Sequence, residues 1–166
     1  MATHRNPLMA APIHIFCGDE LHIMHLGVYK RYVSRAFWHT LLGDVFRVGD
    51  VPAPVRVEMG VARLREELFT WYKERRRLAP DCAVYATNDL TVKMFGAPPH
   101  GQVSSKAAET GTLVQFVVFA LERHRERLAN ADVLIDAGRA LLSYHNITRS
   151  SQTRLEPRQH QELTLG

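Results

Sequence analysis

Three residues near the start of the chain, Asp19, His22 and His25 in "GDELHIMHLGV", stand three apart. On a helix turning about 100° per residue, His22 lies about 60° round from Asp19 and His25 about another 60°. A carboxylate and two imidazoles can therefore share one local pocket. Several kinds of chemistry are open to them. The carboxylate can bind a divalent ion. The three groups can ligate zinc, which needs a fourth group that no spacing in the chain identifies. An imidazole can activate the thiol of Cys17, although Cys17 closes an apolar run and reads better as a small buried residue. In the plainest reading, Asp19 caps a helix by accepting its free N–H groups, and the two histidines are partly buried.

A second acid, Glu109 in "SSKAAETGTLVQF", stands near another helix start and on one stripe with Leu113, Phe116 and Ala120. The helix dipole favours a negative charge there. Its plain reading is a capping interaction with Ser104 or Ser105. Taken together, two acids at two helix starts, each on a core-facing stripe, suit Mg²⁺ or Mn²⁺ chemistry on phosphates. That chemistry needs carboxylates from separate elements converging on hard cations. A phosphate-cradling glycine loop is not indicated, because Gly96 to Gly101 lacks the following Lys-Ser/Thr pattern.

The elements that must hold these groups follow from periodicity. "PIHIFC", residues 12–17, alternates and predicts a short strand. Beyond Gly18 a helix is expected from Asp19 to Leu42, stopped by Gly43. Asp19, Leu26, Val33 and Phe37 project on nearly one line of it, and it has almost no polar face. Residues 45–56 read as a connector, since Pro52 and Pro54 oppose a regular helix. Val57 to Leu78 is helical, with Val61, Leu64, Leu68, Trp71 and Tyr72 three or four apart. Ala83–Ala86 suits a short extended piece, Leu90–Phe95 a brief helix, and 96–105 a loop. Two more helices are expected over 106–129 and 131–145. The fold class is therefore mainly α, α+β at most, with one or two short strands. Residues 12–145 form one unit between a loose leader, 1–11, and a polar tail, 146–166, expected to be disordered.

The composition permits this. The chain has 166 residues, 46% hydrophobic and 23% charged, enough for one core. A net charge of +4 is compatible with a DNA partner without demanding one. Much of the excess sits in the run Lys73 to Arg77, which reads as a solvated helix end. Two cysteines, Cys17 and Cys82, make neither a disulfide framework nor a zinc-finger pattern. No secretion signal or membrane-length apolar run is present, so a reducing intracellular setting and no membrane partner are expected.

The stretch "GDELHIMHLGVYKRYVSRAFWHTLL", with its Asp-x-x-His motif ahead of a long helix, resembles eukaryotic cut-and-paste transposases of the CACTA type. Similar "D-x-L-H-x-x-H-L-G-V" stretches occur in transposase-like proteins of dinoflagellates, which also carry a later "K-A-A-E-T" helix matching Lys106 to Thr110. The resemblance covers about residues 12–145. It implies an RNase H-like fold, a DDE acidic triad binding Mg²⁺ or Mn²⁺, DNA as partner and a nuclear location. By it Asp19 is the second acid and Glu109 the third, both as metal ligands, with His22 and His25 supporting them. The helices between are the insertion such enzymes carry. The family's first acid lies on an upstream strand, and only residues 1–11 precede "PIHIFC" here. The expectation is thus a C-terminal fragment or decayed remnant, weak in metal binding and inactive alone. The missing carboxylate would come from an N-terminal part or another copy. The reading from a different class is a helical interaction module, open to association with DNA, without chemistry.

Overall fold

Apolar residues on several sides of one helix decide the architecture. The computed structural model describes residues 21–43, 45–98 and 101–152, without the side chains of 21, 22 and 148–152. In it α1 (Tyr29–Leu42) buries Tyr29, Tyr32, Val33, Ala36, Phe37, Trp38 and Leu41. Only a narrow stripe through Arg31 and Arg35 is exposed. A helix apolar on most of its circumference must be surrounded. Three others do so: α2 (Ala53–Leu78), α3 (Ala107–Arg123) and α4 (Ala131–Gln152). Helix α3 packs chiefly on α1 and α4, while α2 closes another side with Leu64, Leu68, Trp71 and Tyr72. At the centre the Phe37 ring lies 4.9 Å from Phe95 and Trp71 lies 5.8 Å from Phe116, between ring centroids.

The mainly helical class holds, and among the described residues there is no strand. The strand expected at 12–17 lies outside the described residues. Residues 83–86, where a short extended piece was expected, carry no regular secondary structure and pair with no strand. Side chains satisfy this backbone instead. The Tyr85 N–H donates to Thr112 Oγ1 at 3.2 Å, and the Thr87 N–H to the Tyr72 hydroxyl oxygen at 3.1 Å. A short extended segment can rest on helices when their hydroxyls supply the acceptors.

Several boundaries differ from expectation. Residues Leu21–Val28, ahead of α1, are wound as a π-helix. Its wider i→i+5 turn shifts the phase, so the line drawn through Leu26 and Val33 at about 100° per residue does not apply; Asp19, expected on the same line, lies outside the described residues. Helix α2 starts at Ala53 with Pro54 inside its first turn, where no N–H is required of it. The third expected helix stops at Arg123 and gives way to a 3₁₀ turn, Arg125–Arg127, which brings Leu128 back into the core. The last helix runs on to Gln152, so the polar tail does not begin at 146. No proline or glycine interrupts residues 139–152, and a polar stretch without breakers can continue a packed helix.

The loop after Phe95 is tied to α1. The Trp38 indole N–H donates to the Gly96 carbonyl at 3.0 Å, and the Ser34 hydroxyl to the Phe95 carbonyl. Gly96 turns there at φ +67, a conformation that disfavours any side chain.

Helix α4 comes closest to its neighbours at Gly138. A Cβ there would stand 2.1 Å from the Tyr32 hydroxyl oxygen and 2.4 Å from Val118 Cγ2. That hydroxyl donates to the Leu134 carbonyl at 2.9 Å. Burial, and secondarily the Glu122 carboxylate, push the Tyr32 ionisation far above its ordinary range. Burial also raises that of Tyr72, against the hydrogen bond from Thr87. In the unfolded chain both hydroxyls ionise near pH 10. The folded protein then keeps protons that the unfolded chain has lost, so stability falls as pH rises above about 10. The melting temperature should be level up to about pH 9.5 and drop beyond it. Tyr32→Phe should flatten the drop, and a wild-type curve unchanged to about pH 11 would contradict the burial.

Candidate functional site

The π-helical segment sets His25 against the start of α3. Its Nδ1 lies 3.3 Å from the Ala107 carbonyl oxygen. A carbonyl only accepts, so Nδ1 is the donor in this bond. A Cβ on Gly111, one turn further along α3, would stand 3.7 Å from His25 Cε1. On the other side of the ring are Tyr29, at 4.8 Å, and His145 of α4, at 5.4 Å between centroids. The Tyr29 hydroxyl donates to the Leu141 carbonyl at 3.3 Å. His25 thus marks where the π-helical segment, α3 and α4 meet.

Glu109 occupies a different side of α3. Two residues from Gly111 is about 200° of helical rotation, nearly opposite. Its charge is among the lesser influences on Tyr72 of α2. Its Oε2 accepts the Lys106 N–H at 3.0 Å, the acid's half of a capping box. The capping expected from Ser104 or Ser105 is not what the helix uses. Ser105 bonds instead to the Thr110 hydroxyl, at 2.7 Å, which itself donates to the Lys106 carbonyl.

The structure therefore brings His25 to the helix that carries Glu109, but not to Glu109 itself. Asp19 and Cys17 lie outside the described residues, as does the His22 side chain. His22 is placed only as a backbone position in the π-helical segment. Among the described residues no three His, Cys, Asp or Glu side chains cluster. The one carboxylate of the expected pair that is described already holds an N–H. These residues alone do not form a Mg²⁺ cradle, and no cleavage step follows from them.

A second polar site carries no periodic signal in the sequence. His124 ends α3 and its Nε2 lies 3.0 and 3.1 Å from the two carboxylate oxygens of Glu67 on α2. Their side chains are 10% and 17% exposed, so this pair is shielded where most of the chain's ion pairs are open. The Arg123 Nε adds a contact to the same carboxylate at 3.2 Å. They stand in a cleft of about 470 Å³ lined also by Phe46, Trp71, Phe119 and Arg127. Glu67 sits beside the core position Leu68, and His124 lies within a charged run. Neither context distinguishes a shielded pair from a solvated surface.

The basic run does what its pattern suggested. Lys73 to Arg77 are exposed on the last turns of α2, where cations suit the helix dipole. No helix among the described residues is long and apolar enough to cross a membrane. No protein-family model matches the chain, and neither does any curated protein or solved structure.

Proposed function

We propose that the chain is a helical unit derived from a DDE-type transposase. In this reading it associates with DNA, binds Mg²⁺ or Mn²⁺ weakly through Asp19 and Glu109, and does not cut DNA by itself. One observation carries the reading. Leu21–Val28, the described part of the first stretch behind the resemblance, touches the second, "KAAET", through His25 and the Ala107 carbonyl, 82 residues apart. A shared acidic site would need those two stretches side by side. His25 acts here by holding the two helix starts together.

Two carboxylates brought close without a cation repel, and a divalent ion relieves them. Binding to the folded state then raises the melting temperature by mass action. With two of a triad's three acids, affinity should be of millimolar order, so about 10–20 mM Mn²⁺ is the useful range. A rise of roughly 2–4 °C is expected there. Asp19→Asn and Glu109→Gln should each abolish it. Glutamine can still accept the Lys106 N–H, so the second variant keeps its cap. A melting curve indifferent to Mn²⁺ would remove the site. The reading left would be a helical interaction module without metal, which the engagement of Glu109 as a cap favours.

A further inference from the structure

Five exposed arginines, Arg63, Arg65, Arg123, Arg125 and Arg139, each hold a carboxylate at 2.6–3.3 Å. The end of α2 departs from this habit. Lys73, Arg75, Arg76 and Arg77 are all exposed. Among the described residues none of them pairs with an acid, although Glu74 stands in their midst. Four cations against one acid place three of the chain's four net positive charges in this run. The helix dipole favours cations only within the last turn, and Lys73 lies ahead of it.

An aromatic residue is set beside these cations. Arg75 Nη2 donates to Gln115 Oε1 at 3.3 Å, and the Tyr85 N–H to Thr112 Oγ1 at 3.2 Å. Thr112 and Gln115 are neighbours one turn apart on α3. Arg76 stands one turn beyond Tyr72, whose hydroxyl oxygen accepts the Thr87 N–H, two residues from Tyr85. Tyr85 itself is 54% exposed.

From this juxtaposition we infer that the last turns of α2 and Tyr85 form a docking surface for single-stranded nucleic acid. The cations take phosphates, and the tyrosine ring offers one base a face to stack on. A duplex keeps its base faces covered by their neighbours, so it can use the cations but not the ring. The inference rests on the DNA association in the proposed function and uses neither the metal nor Asp19 and Glu109 of that reading.

Fluorescence anisotropy of a labelled oligothymidylate, about 12 nucleotides long, with the full chain tests it. Binding should be about tenfold tighter than to a duplex of the same length. The slope of log affinity against log salt should be near −3, since each cation that meets a phosphate contributes about −0.7. Lys73→Gln/Arg76→Gln/Arg77→Gln should make that slope shallower by about 2 and weaken binding at least about tenfold at about 50 mM salt. Tyr85→Ala should weaken the single strand about five- to a hundredfold and leave the duplex within about twofold, while Tyr85→Phe keeps both. Arg31→Gln/Arg35→Gln removes exposed cations of α1 and should stay within about twofold of wild type. The salt slope of the unaltered chain needs no variant to fold. The inference is overturned by an unbound single strand, by an unaffected α2 triple variant, by an α1 variant as weak as that triple, or by an unaffected Tyr85→Ala. A duplex bound as tightly as the single strand, with the triple variant silent, strikes this surface and leaves the DNA association standing. Binding of neither form removes both.

Discussion

A chain with aspartate in place of Val33 should show no cooperative unfolding transition at 25 °C. Val33 is 0% exposed at the middle of α1, between Tyr29 and Phe37. Removing its burial forfeits about 1.5–3 kcal/mol. Placing an unpaired carboxylate there costs several kcal/mol more, or forces its protonation at comparable expense. The exposed cations of α1, Arg31 and Arg35, lie on the stripe that faces away from the core. The combined loss approaches the roughly 5–15 kcal/mol that holds a domain together. Urea titration followed by circular dichroism reads the result, with Arg31→Asp on the exposed stripe as the control expected within about 0.5 kcal/mol of wild type. Leu26 is only half-buried, so Leu26→Asp should be milder. A Val33→Asp chain with a near-wild-type midpoint would show that α1 is not central.

Gly138→Leu should be nearly as damaging, at a residue that makes no side-chain contact at all. Two effects compete there. Any side chain gains helix propensity over glycine, about 1 kcal/mol for alanine. Against this, even a Cβ meets the Tyr32 hydroxyl oxygen at 2.1 Å, Tyr32 Cζ at 2.8 Å and Val118 Cγ2 at 2.4 Å. The Tyr32 ring is rigid and buried, so it cannot swing aside as a flexible chain end would. To admit leucine, α4 must lift from α1 and α3, and the Tyr32 hydroxyl loses the Leu134 carbonyl. Overpacking of this kind costs about 1–3 kcal/mol and the lost buried hydrogen bond about another 1–3. The expected net for leucine is a loss of about 1–5 kcal/mol, and for Gly138→Ala, which keeps more of the hydrogen bond, about 0–2. Thermal melts of both variants decide it. An alanine variant more stable than wild type would mean that propensity outweighs packing and that α4 sits less tightly than described.

Much of the helical layout was legible because each stretch shows its burial in its spacing. Val61, Leu64, Leu68, Trp71 and Tyr72 announced α2, and all are buried. The nearly apolar circumference of α1 announced a surrounded helix. What escaped had local causes without a periodic trace. Pro54 reads as a breaker, yet in a first turn its missing N–H is harmless. The π-helical winding ahead of α1 differs from an α-helix in hydrogen-bond register, which residue types do not display. Residues 83–86 suit a strand by residue type, but the acceptors for Tyr85 and the adjacent Thr87 are Thr112 and Tyr72, which only tertiary packing could reveal. At the candidate site, the pattern identified Glu109 as an acid at a helix start, and the structure gives it a capping bond. It did not identify the meeting of His25 with Ala107 and His145, because contacts across 82 and 120 residues leave no spacing to read.

The central place of α1 has a consequence for the chain as it is made. The helix ends at Leu42 and its principal partner α3 begins at Ala107, about 65 residues later. At roughly 5–20 residues per second, synthesis takes several seconds to cover that distance. For that interval Val33 and Phe37 have been made, but α3, whose Phe116 packs against Phe37, has not. Only α2, which covers one side, arrives early enough to shield them. Helix α1 is made well before it finds its full set of neighbours, and the nascent chain carries this sticky surface through that interval.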